Sequence, residues 1–188
     1  MFHCPRLPLL LSCALLGLLS SGAHAAETAA PDSLQPLLAT INERLNIADE
    51  VALIKWDSGK PIQDTAREVQ IITNARKQAV AHKLDPDEVA DFIAAQIEAN
   101  KLVQYGLLAV WQAAHKAPDQ PRPDLNQIRP KLDELQTRLL QQYADFTPYR
   151  VDPQCPTWLA QERANLIKDA LHGQALIRAT GELCVTDQ

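Results

Sequence analysis

Residues 44–68 read RLNIADEVALIKWDSGKPIQDTARE. Apolar residues recur there at helical spacing, and Arg44 and Lys55, eleven positions apart, return to the same helix face at about 100° per residue. The tract WDSGKP interrupts the pattern. It resumes with Asp64, Arg67 and Glu68 at i, i+3 and i+4, one face of a second helix. Farther on, Asn100 and Gln104, four apart, interrupt an otherwise apolar stripe between Ile97 and Leu107, with Gln96 one turn earlier. Buried amides without partners cost about 1–3 kcal/mol each, so a network or a ligand must satisfy them. Two cations, a mixed-charge cluster and two neutral amides aimed inward suit a small anionic ligand better than a protein partner.

Each of these residues also has a plainer reading. Arg44 can be a solvated side chain paired with Glu43 or Glu50. Lys55, between Ile54 and Trp56, can snorkel past apolar neighbours. Asp64, Arg67 and Glu68 can be the charged first turn that helices favour. The amides are harder to dismiss.

Outward from this stretch the whole chain reads as helix. Leu34, Leu37, Leu38, Ile41, Leu45, Ala48 and Ala52 predict a first helix from near Ser33, its N-cap, to about Trp56, stopping at Asp57-Ser58-Gly59. A second is expected from Pro61 to about Lys83. The third opens on Asp85-Pro86, an N-cap followed by proline at the first helical position, and ends near His115. After the linker of residues 117–123, a fourth opens near Asp124 or Asn126. A fifth begins around Pro156, and Gly173 is expected to divide it from a sixth that reaches about Leu183. Alternating strand patterns are missing. The expectation is an all-α, six-helix single domain, a helical bundle.

Composition narrows the class. The N-terminus carries Arg6, an apolar run from Leu9 to Leu19, and small residues up to Ala25. That is the pattern of a secretory signal peptide over residues 1–25, cut after Ala25 or Ala26, leaving a domain over 26–188. The run is too short for a bilayer, which needs about 20 residues. The expected location is therefore periplasmic or secreted. Without the leader, Arg6 leaves the basic count of 18 while the acidic count stays at 23, and the net charge falls from −5 to about −6. An acidic chain with no basic stripe and no further long apolar run argues against nucleic acid and against a membrane once the leader is gone. Cys4 and Cys13 leave with it. Cys155 and Cys184 remain, and in an oxidising compartment a lone pair is most simply a disulfide, with two buried thiols or a metal site as the alternatives. His82, His115 and His172 are scattered at helix ends without a pairing. No Ser–His–Asp order, glycine-rich phosphate loop or metal-ligand spacing is present, so any chemistry is expected to need no nucleophile, metal or cofactor.

Three motifs carry a resemblance: RL-x-x-AD-x-VA-x-x-K-W at Arg44–Trp56, P-I-x-D-x-x-RE at Pro61–Glu68, and Q-I-x-A-N-x-x-x-Q at Gln96–Gln104. Together they resemble the all-helical chorismate mutases of the exported subclass, across nearly the whole mature chain. The two late cysteines match that subclass's single disulfide. The resemblance implies an isomerase that rearranges chorismate to prephenate in a helical pocket, without covalent intermediate or cofactor. It implies that Arg44 binds one carboxylate, and that Lys55 and Gln104 donate to the ether oxygen. Glu68 would accept from the ring hydroxyl near the Asp64 backbone, with Arg67 orienting the same region and Asn100 beside the second carboxylate. Arg129 would complete the anion clamp within the same chain. Some members carry glutamate where this chain has Gln104, and glutamine near Ile71. Pro130, directly after Arg129, is expected to disturb the start of the fourth helix. A non-catalytic helical periplasmic anion-binding or interaction protein of the same fold is the alternative. A homodimer stays open.

Overall fold

The computed structural model describes residues 29–185, so the expected leader lies outside the described residues. Six α-helices follow in order: α1 (Leu34–Ser58), α2 (Thr65–Ala79), α3 (Pro86–Ala114), α4 (Leu125–Phe146), α5 (Cys155–Ala164) and α6 (Ala170–Ala179). Short 3₁₀ turns at Val80–His82 and Thr147–Tyr149 close α2 and α4, and no strand occurs among the described residues. The long α3 is the axis. It packs along α1, α2 and α6, and α4 lies along the other side of α1.

The apolar stripes explain that arrangement. Leu37, Leu38 and Ile41 of α1 meet Phe92, Ile93 and Val103 of α3, with Leu139, Tyr143 and Phe146 of α4 and Leu176 of α6 in the same buried cluster. Burying each such side chain stabilises the fold by about 1.5–3 kcal/mol. Phe92 and Tyr143 stack with ring centroids 4.5 Å apart. A second cluster of Ala52, Leu53 and Trp111 closes the far end of α1. A third, Ile47, Ile128 and Leu135, seats α4 on α1.

Several boundaries differ from the sequence expectation, each for a local reason. Ser33 holds the N-cap position of α1 but its hydroxyl makes no capping bond; the helix starts with Leu34 N–H donating to Pro31 O at 2.9 Å. The stop at Gly59 is as expected, because the C-cap needs the left-handed backbone found there, φ 63°. α2 begins only at Thr65, since Asp64 is its cap rather than a residue of its face. It ends at Ala79 rather than Lys83, which itself has a left-handed φ of 58°. Asp85 caps α3 by accepting from the Asp87 and Glu88 amides. Pro130 sits inside α4, which runs unbroken through it.

Gly173 does not separate the last two helices. α5 stops at Ala164, and Asp169, with an extended backbone and its carboxylate accepting from the His172 amide, starts α6 instead. Gly173 lies within α6, where an added Cβ would meet Ile167 Cγ2 at 3.0 Å. α6 ends at Ala179 rather than at Leu183. His172 also departs from the expectation of an unpaired histidine: it is buried, with Nδ1 2.8 Å from Asp169 Oδ2 and Nε2 2.9 Å from Asp49 Oδ1, tying α6 to α1. Cys155 and Cys184 form a disulfide with Cα atoms 5.7 Å apart.

Candidate active site

A cavity of about 180 Å³ opens between α1, α2 and α4. It is smaller than the roughly 300 Å³ at which drug-sized sites begin, and so suits a compact molecule. Arg44 and Lys55 of α1, Arg67 of α2 and Arg129 of α4 all reach its wall. Asp64, Asp133 and Gln136 add polar groups, and Val51, Ile71, Ile128 and Leu132 supply apolar surface. A larger hollow of about 370 Å³ between the start of α1 and the end of α5 has only Glu162 as a charged wall residue.

Arg44 is the anchor. It is 7 % exposed, and its Nη1 donates to the backbone oxygen of Gln96 at 3.0 Å. Neither Glu43 nor Glu50 is its partner; Glu43 pairs with Arg138 at 2.7 Å on the surface. Burial lowers the guanidinium pKa from its ordinary value to about 10, which leaves it charged at neutral pH. A buried cation without a counter-charge is costly, and an anionic ligand relieves that cost.

The elements aim the other groups. Lys55 lies in the last turn of α1, and its Nζ donates to Pro61 O at 2.7 Å, so the turn after α1 fixes the ammonium. Asp64 and Glu68 form a reciprocal cap: Asp64 Oδ1 accepts from the Arg67 amide at 3.1 Å, and the Asp64 amide donates to Glu68 Oε1 at 3.2 Å. Arg67 reaches Gln70 Oε1 at 3.2 Å and lies 3.7 Å from Asp133 Oδ1. Arg129 is exposed at the cavity's α4 edge.

Gln104, Asn100 and Glu68 are not on the wall of this cavity; Asn100 and Glu68 bond residues that are, and Gln104 connects to it through Asn100. Asn100 Nδ2 donates to Arg44 O at 3.3 Å, and Gln104 Nε2 donates to Asn100 Oδ1 at 2.7 Å. The carbonyl of Arg44 can only accept, which fixes the Asn100 amide and in turn obliges Gln104 to present its nitrogen. Gln104 is 5 % exposed, and its Oε1 is buried without a hydrogen-bond partner. Gln96 closes the same network with Nε2 on Ala179 O at 2.6 Å.

Two wall residues escaped the sequence reading. Asp133 lies four residues after Arg129 on α4, an i, i+4 signal, and Gln136 follows one turn later. Among the described residues no group of acidic, histidine and cysteine side chains could hold a metal, and no helix is long and apolar enough to cross a membrane.

The chain has recognisable relatives among known proteins. Residues 35–105 match the family model described as chorismate mutase type II. The chain is 31% identical over 156 residues to a protein named secreted chorismate mutase from Mycobacterium tuberculosis, covering 80% of this chain and 78% of that one. It is 33% identical to the protein of the same name from Mycolicibacterium smegmatis, over 78% of this chain and 81% of the relative. The crystal structure of a chorismate mutase from Burkholderia phymatum superposes with a TM-score of 0.80 at 39% identity, covering 82% of this chain and 98% of that one.

Proposed function

The chain belongs to the type II chorismate mutases, and on that premise we propose that the cavity between α1, α2 and α4 is where it rearranges chorismate. As a member of that family it is an isomerase. The reaction breaks the ether C–O bond and forms a C–C bond in one pericyclic step, yielding prephenate with no proton transfer to the protein. The observation that carries the placement is the convergence of Arg44, Lys55, Arg67 and Arg129 on one small cavity. All four come from one chain, which supports one complete site per chain.

The substrate is a dianion that must fold into a compact chair. Arg44, buried and short of counter-charge, takes one carboxylate, and Arg129 closes on the dianion from α4. Such charge-assisted contacts select the folded conformer before any bond changes. Lys55 donates to the ether oxygen, where negative charge gathers at the transition state. Gln104 donates to the same oxygen after its amide turns from Asn100, a torsion with a broad energy profile. Asn100 holds the second carboxylate's side of the pocket. Glu68 accepts from the ring hydroxyl with the lone pairs that Asp64 and Lys101 leave over, and Arg67 orients the same end of the ring.

Export is part of this reading. Two relatives are named as secreted, the Cys155–Cys184 disulfide belongs to an oxidising compartment, and residues 1–25 carry the leader pattern. The test of function is direct: purified protein should consume chorismate, followed by the decay of its ultraviolet absorbance. A flat trace with Lys55 and Gln104 intact would leave only a non-catalytic anion-binding protein.

A neutral amide at position 104 needs no protonation to donate. We predict that kcat/KM stays level from mildly acidic to mildly basic pH, because a carboxamide has no proton to gain or lose in that range. Its alkaline limit is set by Arg44, whose charge is lost only as pH rises through about 10. The sign for stability is opposite. Below about 10 the buried cation opposes folding, and that penalty fades as pH rises from about 10 toward the ordinary pKa of a free guanidinium. Gln104→Glu should make the rate depend on acid, because an ionised carboxylate repels the ether oxygen. A wild-type rate that falls steeply through neutrality, measured in a pH series, would refute the role of the amide.

Arg129 offers a milder change. It is exposed, so its attraction is screened by water and salt. Arg129→Ala should raise KM about tenfold and leave kcat within about twofold, since the contact serves ground state and transition state alike. Steady-state kinetics at two salt concentrations checks this, with the difference between wild type and variant shrinking at high salt.

A further inference from the structure

Lys101 stands on α3 between Asn100 and Gln104, yet it faces a different helix. Its Nζ is 3.1 Å from Glu68 Oε2 on α2 and 2.7 Å from Glu98 Oε1 on its own helix. The Lys101 and Glu68 side chains are only 13 % and 20 % exposed. Solvent therefore screens this pair far less than an ordinary surface ion pair. The other Glu68 oxygen accepts from the Asp64 amide, and Asp64 in turn caps the Arg67 amide. The hydrogen-bonded path thus runs from α3 through Glu68 to both residues that the first turn of α2 sets on the cavity wall.

We propose that Lys101 is a positioning residue for the reaction, acting through Glu68 to hold the first turn of α2 and its Asp64 and Arg67 in their binding geometry. This rests on the placement of the reaction in the cavity between α1, α2 and α4. Lys101 also offsets the charge of Glu68. Asp64 and Asp133 already bring two carboxylates to a cavity that must admit a dianion, and Glu68 left unpaired beside them would repel it further. Burial works against the charge on Lys101, but hydrogen bonds to Glu98 and Glu68 outweigh it and hold the ammonium above its ordinary pKa. The ammonium therefore stays charged at neutral pH.

The test is a kinetic double-mutant cycle with chorismate. Lys101→Met should raise KM about tenfold while kcat changes less than about threefold, because the hydroxyl and carboxylate contacts it supports are made before the transition state. Lys101→Arg keeps the charge and should recover most of the loss. In a Glu68→Gln background the same Lys101→Met change should alter KM less than about twofold. Thermal melts accompany each variant, and if Lys101→Met does not hold its fold, Lys101→Gln carries the comparison. Equal effects in both backgrounds, no rescue by arginine, or an unchanged KM would overturn the proposal. An inactive wild type would sink the catalytic reading itself, whereas an active wild type indifferent to Lys101 would sink only this role.

Discussion

Lys55→Ala lowers kcat by about 100- to 1,000-fold and raises KM by less than about tenfold. The reason lies in when the ammonium is needed. In the ground state the ether oxygen is a weak, neutral acceptor, so a nearby cation contributes little to binding. As the C–O bond stretches, that oxygen gathers negative charge, and a donor already in place stabilises it without reorganising. The structure shows how the donor is held. Lys55 occupies the last turn of α1, next to the Trp56–Trp111 edge contact, and Pro61 O accepts from Nζ at 2.7 Å. Lys55→Arg should rescue poorly, because a planar fork cannot reproduce one compact charge at the same point. Arg44 makes the informative contrast. In the proposed placement it meets a carboxylate in both states, so its removal should raise KM as well as lower kcat. Steady-state kinetics on the two alanine variants decides the matter. A Lys55→Ala enzyme with an unchanged kcat and a raised KM would mean that this lysine binds and does not catalyse.

Much of this was legible in the chain because it depends on local spacing. The 3.6-residue stripe of Leu34–Leu45 buries as a face, and the Asp85-Pro86 and Gly59 signals start and stop helices where they stand. Arg44 and Lys55 share a cavity for the same reason: eleven residues bring them to one face of a single rigid helix. What failed depends on groups far apart in sequence. His172 finds Asp49, 123 residues away, only once α6 lies on α1. The break between α5 and α6 follows from the Asp169 cap and not from Gly173, which lies inside α6 close to Ile167. Lys101 has no local signal, and only the packing of α2 on α3 brings Glu68 against it. Pro130 misled in the other direction. A proline six residues into a helix removes one backbone donor, and the packing of Ile128 and Leu135 against Ile47 holds α4 in place on either side of it.

Removing the disulfide should have a comparable effect in energy and almost none on chemistry. Closing the 29-residue separation between Cys155 and Cys184 stabilises the fold by about 3–4 kcal/mol in the chain-entropy account. For a domain of this size that corresponds to a fall in Tm of about 10 °C in Cys155→Ser with Cys184→Ser, or in the reduced wild type. The native contacts around the bridge do not run through its sulfurs and are expected to outlast it. Arg150, buried over the Tyr143 ring at 5.0 Å, pairs with Glu88 and donates to the backbone oxygens of Glu182 and Leu183. Arg163 Nη1 donates to Thr180 Oγ1 at 3.0 Å, and Leu183 is fully buried. These bonds keep α6 seated, and α6 supplies Ala179 O, which holds Gln96, whose own carbonyl holds Arg44. The protein without the bridge should therefore keep kcat and KM at 25 °C within about twofold while melting earlier. Calorimetry and kinetics on the same sample separate the two effects. A raised KM at full folding would show that the bridge tensions the Gln96–Arg44 relay, and an unchanged Tm would show that the Arg150 contacts alone restrain the C-terminal segment.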